Sequence, residues 1–269
     1  MGHQHILWYV KPKRQMKQLN HAWRLFATGL SFSVFGLAGL IMGLFLFPLM
    51  FVLIRDSGAR QTAARSLIGR AFSAFIWMMK TLGVLSYQIQ GAEHACSSHN
   101  QLIIANHPTL IDVVFLVSLF PQADCVIKEA VTRNPFMRGT VAAANYISNI
   151  ETQELLGSCI RRLKSGGSLL LFPEGTRSKG RQPLEFKLGA AVVAVDSGAE
   201  ILPVVIRCTP PTLAKHEPWY KIPPSRPFFS IQILAPTSVD KLVPGEHNPR
   251  QTKRALNEAL LELFAQELS

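Results

Sequence analysis

The first strong pattern along the chain is a run without charge from Leu25 to Ile54, closed by Arg24 and Arg55. A helix crossing the hydrocarbon of a bilayer needs about 20 apolar residues, so the run is more than long enough. It lies too deep in the chain and is too long for a cleaved leader, and Pro48 is placed to kink or break it. Basic residues flank both ends: Lys11, Lys13, Arg14, Lys17 and Arg24 before it, Arg55, Arg60, Arg65 and Arg70 after it. Charge therefore sets no orientation. A single tilted span is possible; a re-entrant or interfacial hairpin returning to the cytoplasmic face fits two basic flanks better. Residues 65–82 then repeat with helical period. Ile68, Phe72, Phe75 and Met79 share one face, with Arg70, Ser73 and Lys80 opposite. Such a helix lies on a membrane or packs against a domain.

From Val84 onward short apolar runs alternate with helical stretches. The runs at 86–90, 101–105, 125–127, 168–172, 201–206 and 229–234 predict strands; 110–119, 135–144, 153–164 and 188–196 predict helices. Arg161, Arg162 and Lys164 oppose a helix dipole in a last turn, and Gly166–Gly167 reads as the stop of that helix better than as a phosphate cradle. Asn248 and Pro249 open a final helix with Leu256, Leu260, Leu263 and Phe264 on its inner side. The prolines of 210–227 mark a long irregular loop. The pattern predicts an α/β fold, a central mixed sheet flanked by helices, preceded by an N-terminal membrane-associated helical segment. The expected division is 1–83 for the basic, apolar, membrane-associated region and 84–269 for the α/β domain.

Composition narrows the partners. With 48% hydrophobic and 17% charged residues the chain is not disordered. Its formal charge of +11 suits an anionic partner. No acidic residue precedes Asp56, so the excess gathers beside the apolar run. Without zinc-finger spacing or an RNA-binding aromatic signature, a bilayer surface explains the charge better than nucleic acid. Cys96, Cys125, Cys159 and Cys208 are scattered with no CxxC pair, which fits small apolar residues in a reducing compartment and no metal site.

Two segments carry candidate chemistry. In the first, the apolar run 101–105 ends at Asn106 and His107, with Pro108 favourable for a following helix and Asp112 five residues beyond the histidine. With His107 outside the helix and Asp112 in its first turns the side chains can meet, and a carboxylate then fixes the imidazole tautomer. A turn-capping histidine beside a dipole-favoured aspartate would read the same way. In the second, the apolar run 168–172 empties into Pro173-Glu174-Gly175-Thr176-Arg177-Ser178, where Arg177 offers a planar donor fork suited to phosphate. A turn with a surface arginine is the plain alternative.

Together the two segments resemble the glycerolipid acyltransferase family, whose members include lysophosphatidate acyltransferases. Asn106, His107 and Asp112 match its Asn-His-x4-Asp motif, and residues 172–178 match Phe-Pro-Glu-Gly-Thr-Arg-Ser throughout. Residues 201–206 are similar to its apolar-proline motif, and Lys128, Glu129, Pro135 and Gly139 to the stretch between its first two motifs. The resemblance covers roughly 84–234. It implies that His107 is a general base oriented by Asp112, and that Glu174, Gly175, Thr176, Arg177, Lys128 and Asn149 meet substrate. Backbone N–H groups of the 174–175 turn are candidate oxyanion donors. Asn149 stands where the family usually has an arginine for the acceptor phosphate, and asparagine brings no charge. The implied reaction moves a fatty acyl group from acyl-CoA or acyl carrier protein to a lysophospholipid hydroxyl, without metal or cofactor. The expected place is a membrane, the cytoplasmic face of a bacterial inner membrane. Two alternatives stand beside it: a specialised acyltransferase using acyl carrier protein and a non-phosphate lipid acceptor, and a catalytically silent membrane scaffold of the same fold. No Gly-x-Ser-x-Gly elbow suggests an acyl-enzyme.

Overall fold

The computed structural model describes residues 14–97, 100–149, 152–178, 183–245 and 248–269. In chain order these residues form helix α1 (Arg14–Ile41), a π-turn (Met42–Leu46), α2 (Phe47–Leu53), α3 (Ser57–Thr81), β1 (Ser86–Gln90), β2 (Gln101–Ala105) and α4 (Asp112–Leu119). There follow β3 (Asp124–Lys128), α5 (Glu129–Thr132), α6 (Arg138–Ala144), β4 (Ile147–Asn149), α7 (Thr152–Lys164) and β5 (Leu169–Leu171). The chain finishes with α8 (Gly189–Ser197), β6 (Glu200–Thr209), β7 (Phe228–Ile233), α9 (Val239–Leu242) and α10 (Pro249–Leu268).

The apolar run does not fold back on itself, contrary to the expected hairpin within 25–54. It is one helical rod, Gln18–Leu53, and Pro48 interrupts nothing. The π-turn precedes Pro48, which sits in the first turn of α2, where a missing N–H is tolerated. The return is made by α3, which opens at the N-cap Asp56, whose carboxylate accepts the Ala59 N–H at 2.7 Å. Phe35 meets Phe72 and Phe75 between the two rods. Arg65, placed by the sequence in a basic flank, is buried instead.

The strands form one seven-stranded sheet ordered β1-β7-β6-β2-β5-β3-β4, parallel except for the β6–β7 pair. β2 lies inside it, parallel to β5 on one side and β6 on the other, and all five of its residues are buried. That two-sided burial is why 102–105 reads as an unbroken apolar run, and the buried Gln101 before it donates to Glu200 at 2.9 Å. Alternate residues serve opposite faces: Ile103 and Ala105 join the core under α1, α3 and α4, while Leu102 and Ile104 join the core under α7, α8 and α10. The short polar strand β4 carried no apolar signal and was not expected. The final helix has the predicted start, a capping box between Asn248 and Gln251, and buries Leu256, Leu260 and Phe264.

One ion network ties the layers together. Asp124, at the start of β3, pairs with Arg65 of α3 and Arg162 of α7. Arg65 also donates to the carbonyls of Ala144 and Gln122, at 2.8 and 2.9 Å. The 210–227 segment is a strap clamped from three sides. Arg24 of α1 donates to the carbonyls of Pro223, Pro224 and Ser225; Arg226 donates to Leu85 and Lys80; Arg177 holds Leu213 and Ala214.

Candidate active site

The carboxyl ends of four neighbouring parallel strands meet on one rim of the sheet, where α/β folds place ligands. His107 follows β2, Phe172–Ser178 follow β5, Lys128 ends β3 and Asn149 ends β4. With strands about 4.8 Å apart, Lys128 stands about 10 Å and Asn149 about 14 Å across the rim from His107.

His107 Nδ1 lies 2.9 Å from Asp112 Oδ2. The same oxygen accepts the Thr109 N–H at 2.7 Å, and Oδ1 accepts the Thr109 hydroxyl at 2.5 Å. An ionised carboxylate only accepts, so the imidazole carries its proton on Nδ1 and leaves Nε2 bare. No described residue bonds Nε2, and the ring is 15% exposed, enough for a small group to reach it. Asp112 is fully buried. Burial raises its pKa, against the lowering effect of His107 and Thr109.

The ring is held on its other sides as well. Phe172 stacks on it at 4.2 Å and 23°. Glu174 Oε1 accepts the His107 backbone N–H at 2.8 Å and the Ser178 hydroxyl at 2.9 Å, while the Ser178 N–H donates to the His107 carbonyl at 2.8 Å. Glu174 is thus a staple between the two loops, and burial raises its pKa. Just before the histidine, the Asn106 amide spans the sheet edge, donating to the Ile206 carbonyl at 2.8 Å and accepting the Ile206 N–H at 2.7 Å. Apart from the Ser178–Glu174 bond, these contacts join residues far apart in sequence, so only the paired motifs gave a hint of them.

Not every expected role fits the geometry. The Gly175 N–H donates to the Phe172 carbonyl at 3.0 Å, which removes it as an oxyanion donor. Gly175 has φ +66° beside Lys187, so the turn, not a ligand, accounts for that glycine. Arg177 Nη1 donates to Leu213 and Ala214 at 2.9 and 3.0 Å, which ties the loop to the strap and leaves the rest of the half-buried fork for a ligand. Thr176 is half-buried in the same turn and Lys128 is exposed at the rim. The side chain of Asn149 lies outside the described residues, as does that of Cys96. The other three thiols are unreactive: burial pushes Cys125 and Cys208 up to about 12 and Cys159 up to about 11. Among the described residues no cluster of His, Cys, Asp and Glu could hold a metal. The arrangement can take a proton at Nε2 and stabilise the resulting imidazolium through Asp112.

Residues 86–207 match the family model described as Acyltransferase. A chloroplastic 1-acyl-sn-glycerol-3-phosphate acyltransferase of Arabidopsis thaliana is 30% identical over 128 residues, 45% of this chain and 36% of that protein. A 1-acyl-sn-glycerol-3-phosphate acyltransferase of Helicobacter pylori is 32% identical over 114 residues, 39% of this chain and 48% of that protein. Thus the chain spans less than half the length of either relative. The crystal structure of the 1-acyl-sn-glycerophosphate acyltransferase PlsC from Thermotoga maritima superposes with a TM-score of 0.63, covering 92% of this chain and 97% of that one at 20% identity, a likeness of fold.

Proposed function

We propose that this chain, whose residues 86–207 match the Acyltransferase family model and which is similar to 1-acyl-sn-glycerol-3-phosphate acyltransferases, moves a fatty acyl group from a thioester to the free hydroxyl of a 1-acylglycerol-3-phosphate. The carrying observation is the His107–Asp112 contact with Nε2 left open, on the rim beside the Phe172–Ser178 loop. In this reading Nε2 takes the acceptor's hydroxyl proton as the oxygen attacks the thioester carbonyl. A C–O bond forms, the C–S bond breaks, and the thiolate leaves with the proton that Nε2 returns. Asp112 holds the tautomer and balances the imidazolium. The free part of the Arg177 fork and Lys128 bind the anionic parts of the substrates. Acyl-CoA or acyl carrier protein serves as donor.

Membrane attachment belongs to the same reading. One side of the first rod is docked: Trp23 donates to the Leu82 carbonyl, Gly29 meets Trp219, and Gly43 touches Gly139 backbone to backbone. The other side leaves Phe26, Leu30, Leu37, Ile41, Leu44 and Leu49 exposed at intervals of three to seven residues. A rod docked lengthwise with an apolar outer stripe suits a helix lying in the interface of one leaflet, which brings the rim to acyl-chain substrates.

The test is acyl transfer by the purified chain and its His107→Ala variant, from labelled acyl-CoA and acyl carrier protein, to lysophosphatidate, other lysophospholipids and a total lipid extract. His107-dependent phosphatidate supports the reading. His107-dependent product from the extract alone moves the acceptor to a lipid without that phosphate, the possibility raised by Asn149. No His107-dependent product with any pair defeats the enzymatic reading in favour of a silent scaffold.

A further inference from the structure

At the opposite end of the sheet from His107, the structure holds a polar cavity of about 160 Å³, lined by Gln61, Thr62, Arg65, Gln122, Arg162 and the 166–168 turn. Its floor is the Asp124 network. Two guanidinium groups share one carboxylate there, so the floor keeps one uncompensated positive charge. Arg162 bonds Asp124 through Nε and is 39% exposed where it lines the cavity, so that bond leaves its two Nη groups for a ligand. Gly167 is required for this placement, because a Cβ there would come within 2.8 Å of the Arg162 guanidinium carbon. The turn that read only as a helix stop therefore also seats an arginine against a cavity. Its own amides at Ser165, Gly166 and Gly167 are spent on helix carbonyls, so any anion is held by side chains.

The cavity opens beside the end of the apolar rod. Gln61 and Thr62 lie in the first turns of α3, directly after the exposed Phe51, Val52, Leu53 and Arg55. Arg60, next to Gln61, rests over the Phe51 ring at 4.5 Å. Apolar side chains that enter a leaflet, arginines at its surface and a recessed guanidinium pocket form the sequence of environments that a phospholipid offers from tail to phosphate. A free phosphate would match the pocket but not its apolar margin.

We propose that this cavity is a non-catalytic site for the phosphate headgroup of an anionic phospholipid, anchoring the α2–α3 end of the molecule to the leaflet. It rests on the membrane part of the proposed function but not on the reaction. The test uses the detergent-solubilised full chain carrying His107→Ala, titrated calorimetrically with dihexanoylphosphatidylglycerol, dihexanoylphosphatidylcholine and inorganic phosphate. Thr62 is exposed and outside the Asp124 network, so Thr62→Glu adds a negative charge at the mouth and spares the fold. Ala59→Glu places the same charge on the same helix, outside the cavity lining. The expected result is binding of phosphatidylglycerol over phosphatidylcholine, weakened about fivefold by Thr62→Glu, as for one surface charge, and little changed by Ala59→Glu. Equal weakening by both variants would mean diffuse attraction and overturn the site. Inorganic phosphate binding as tightly as phosphatidylglycerol would overturn the lipid as its source. Because His107 is absent throughout, failure here is separate from failure of the acyl-transfer reading.

Discussion

Replacing Asp112 by Asn separates the charge of the carboxylate from its geometry. Oδ2 accepts two N–H groups, from His107 and Thr109, while Oδ1 accepts only the Thr109 hydroxyl. Asparagine therefore fits one way round. Its oxygen takes the Oδ2 position, and its NH2 faces the Thr109 hydroxyl, which turns to accept. The imidazole tautomer survives and only the charge is lost. A wrong tautomer costs a catalytic triad about 10⁴ in kcat, whereas one lost electrostatic contact costs about 10²–10³. Initial rates of thioester consumption should thus show kcat lowered about 10²–10³-fold with KM unchanged. Adding Thr109→Val removes the acceptor for the amide and should deepen the loss towards about 10⁴. Stability should move the other way. Burial raises the Asp112 pKa, so the charged carboxylate that the site uses is harder to hold in the folded chain than in the unfolded one. The stability contributed by that proton is complete below the unfolded pKa and is lost as pH rises through the folded one. At pH 7 the asparagine variant should melt no lower than the wild type, and its melting temperature should lack this decline. A kcat within about threefold of wild type, less than 1 kcal/mol of barrier, or a markedly lower melting temperature, refutes the reasoning.

Three further outcomes follow from the same contacts. Asp124→Ala strands the buried Arg65 beside Arg162 and should cost about 3–5 kcal/mol in chemical denaturation; a loss under about 1 kcal/mol would show that solvent already compensates the pair. Asn106→Ala leaves both the Ile206 N–H and carbonyl unpaired, at about 1–3 kcal/mol each, and kcat should fall as His107 loses its footing; unchanged melting would remove the bracing role. Phe172→Leu removes the ring stacked on His107, worth about 0.5–1.5 kcal/mol, so kcat/KM should drop about two- to tenfold without a change in the donor's chain-length preference.

What could be read in the sequence was decided by whether a signal was local. The strand β2 is buried on both faces and apolar in four of its five residues, Leu102 to Ala105, so it stood out, whereas β4 has too few residues and too little apolar character to register. His107 and Asp112 stood out because five residues of chain hold them together. The same local reading placed Arg65 in a basic flank and gave no sign of the carbonyls that Arg177 also holds, since an arginine looks alike in sequence whether it faces solvent or closes a carbonyl cage. Their partners lie 59 and 36 residues away, in Asp124 and Leu213. The apolar run shows the same limit from the other direction. Its length and lack of charge are visible in the sequence, but whether it spans, folds back or lies flat depends on what its second face touches. Gly43 against Gly139, and Trp23 against the Leu82 carbonyl, are the contacts that dock it on the rest of the chain. Both join the rod to segments that no periodicity in the rod itself could indicate. The long-range arginine clamps also give the strap a consequence for chemistry: Arg24 holds one end from the rod and Arg177 the other from the active-site loop. The rod is therefore tied, through fewer than twenty residues of strap, to the loop that faces His107.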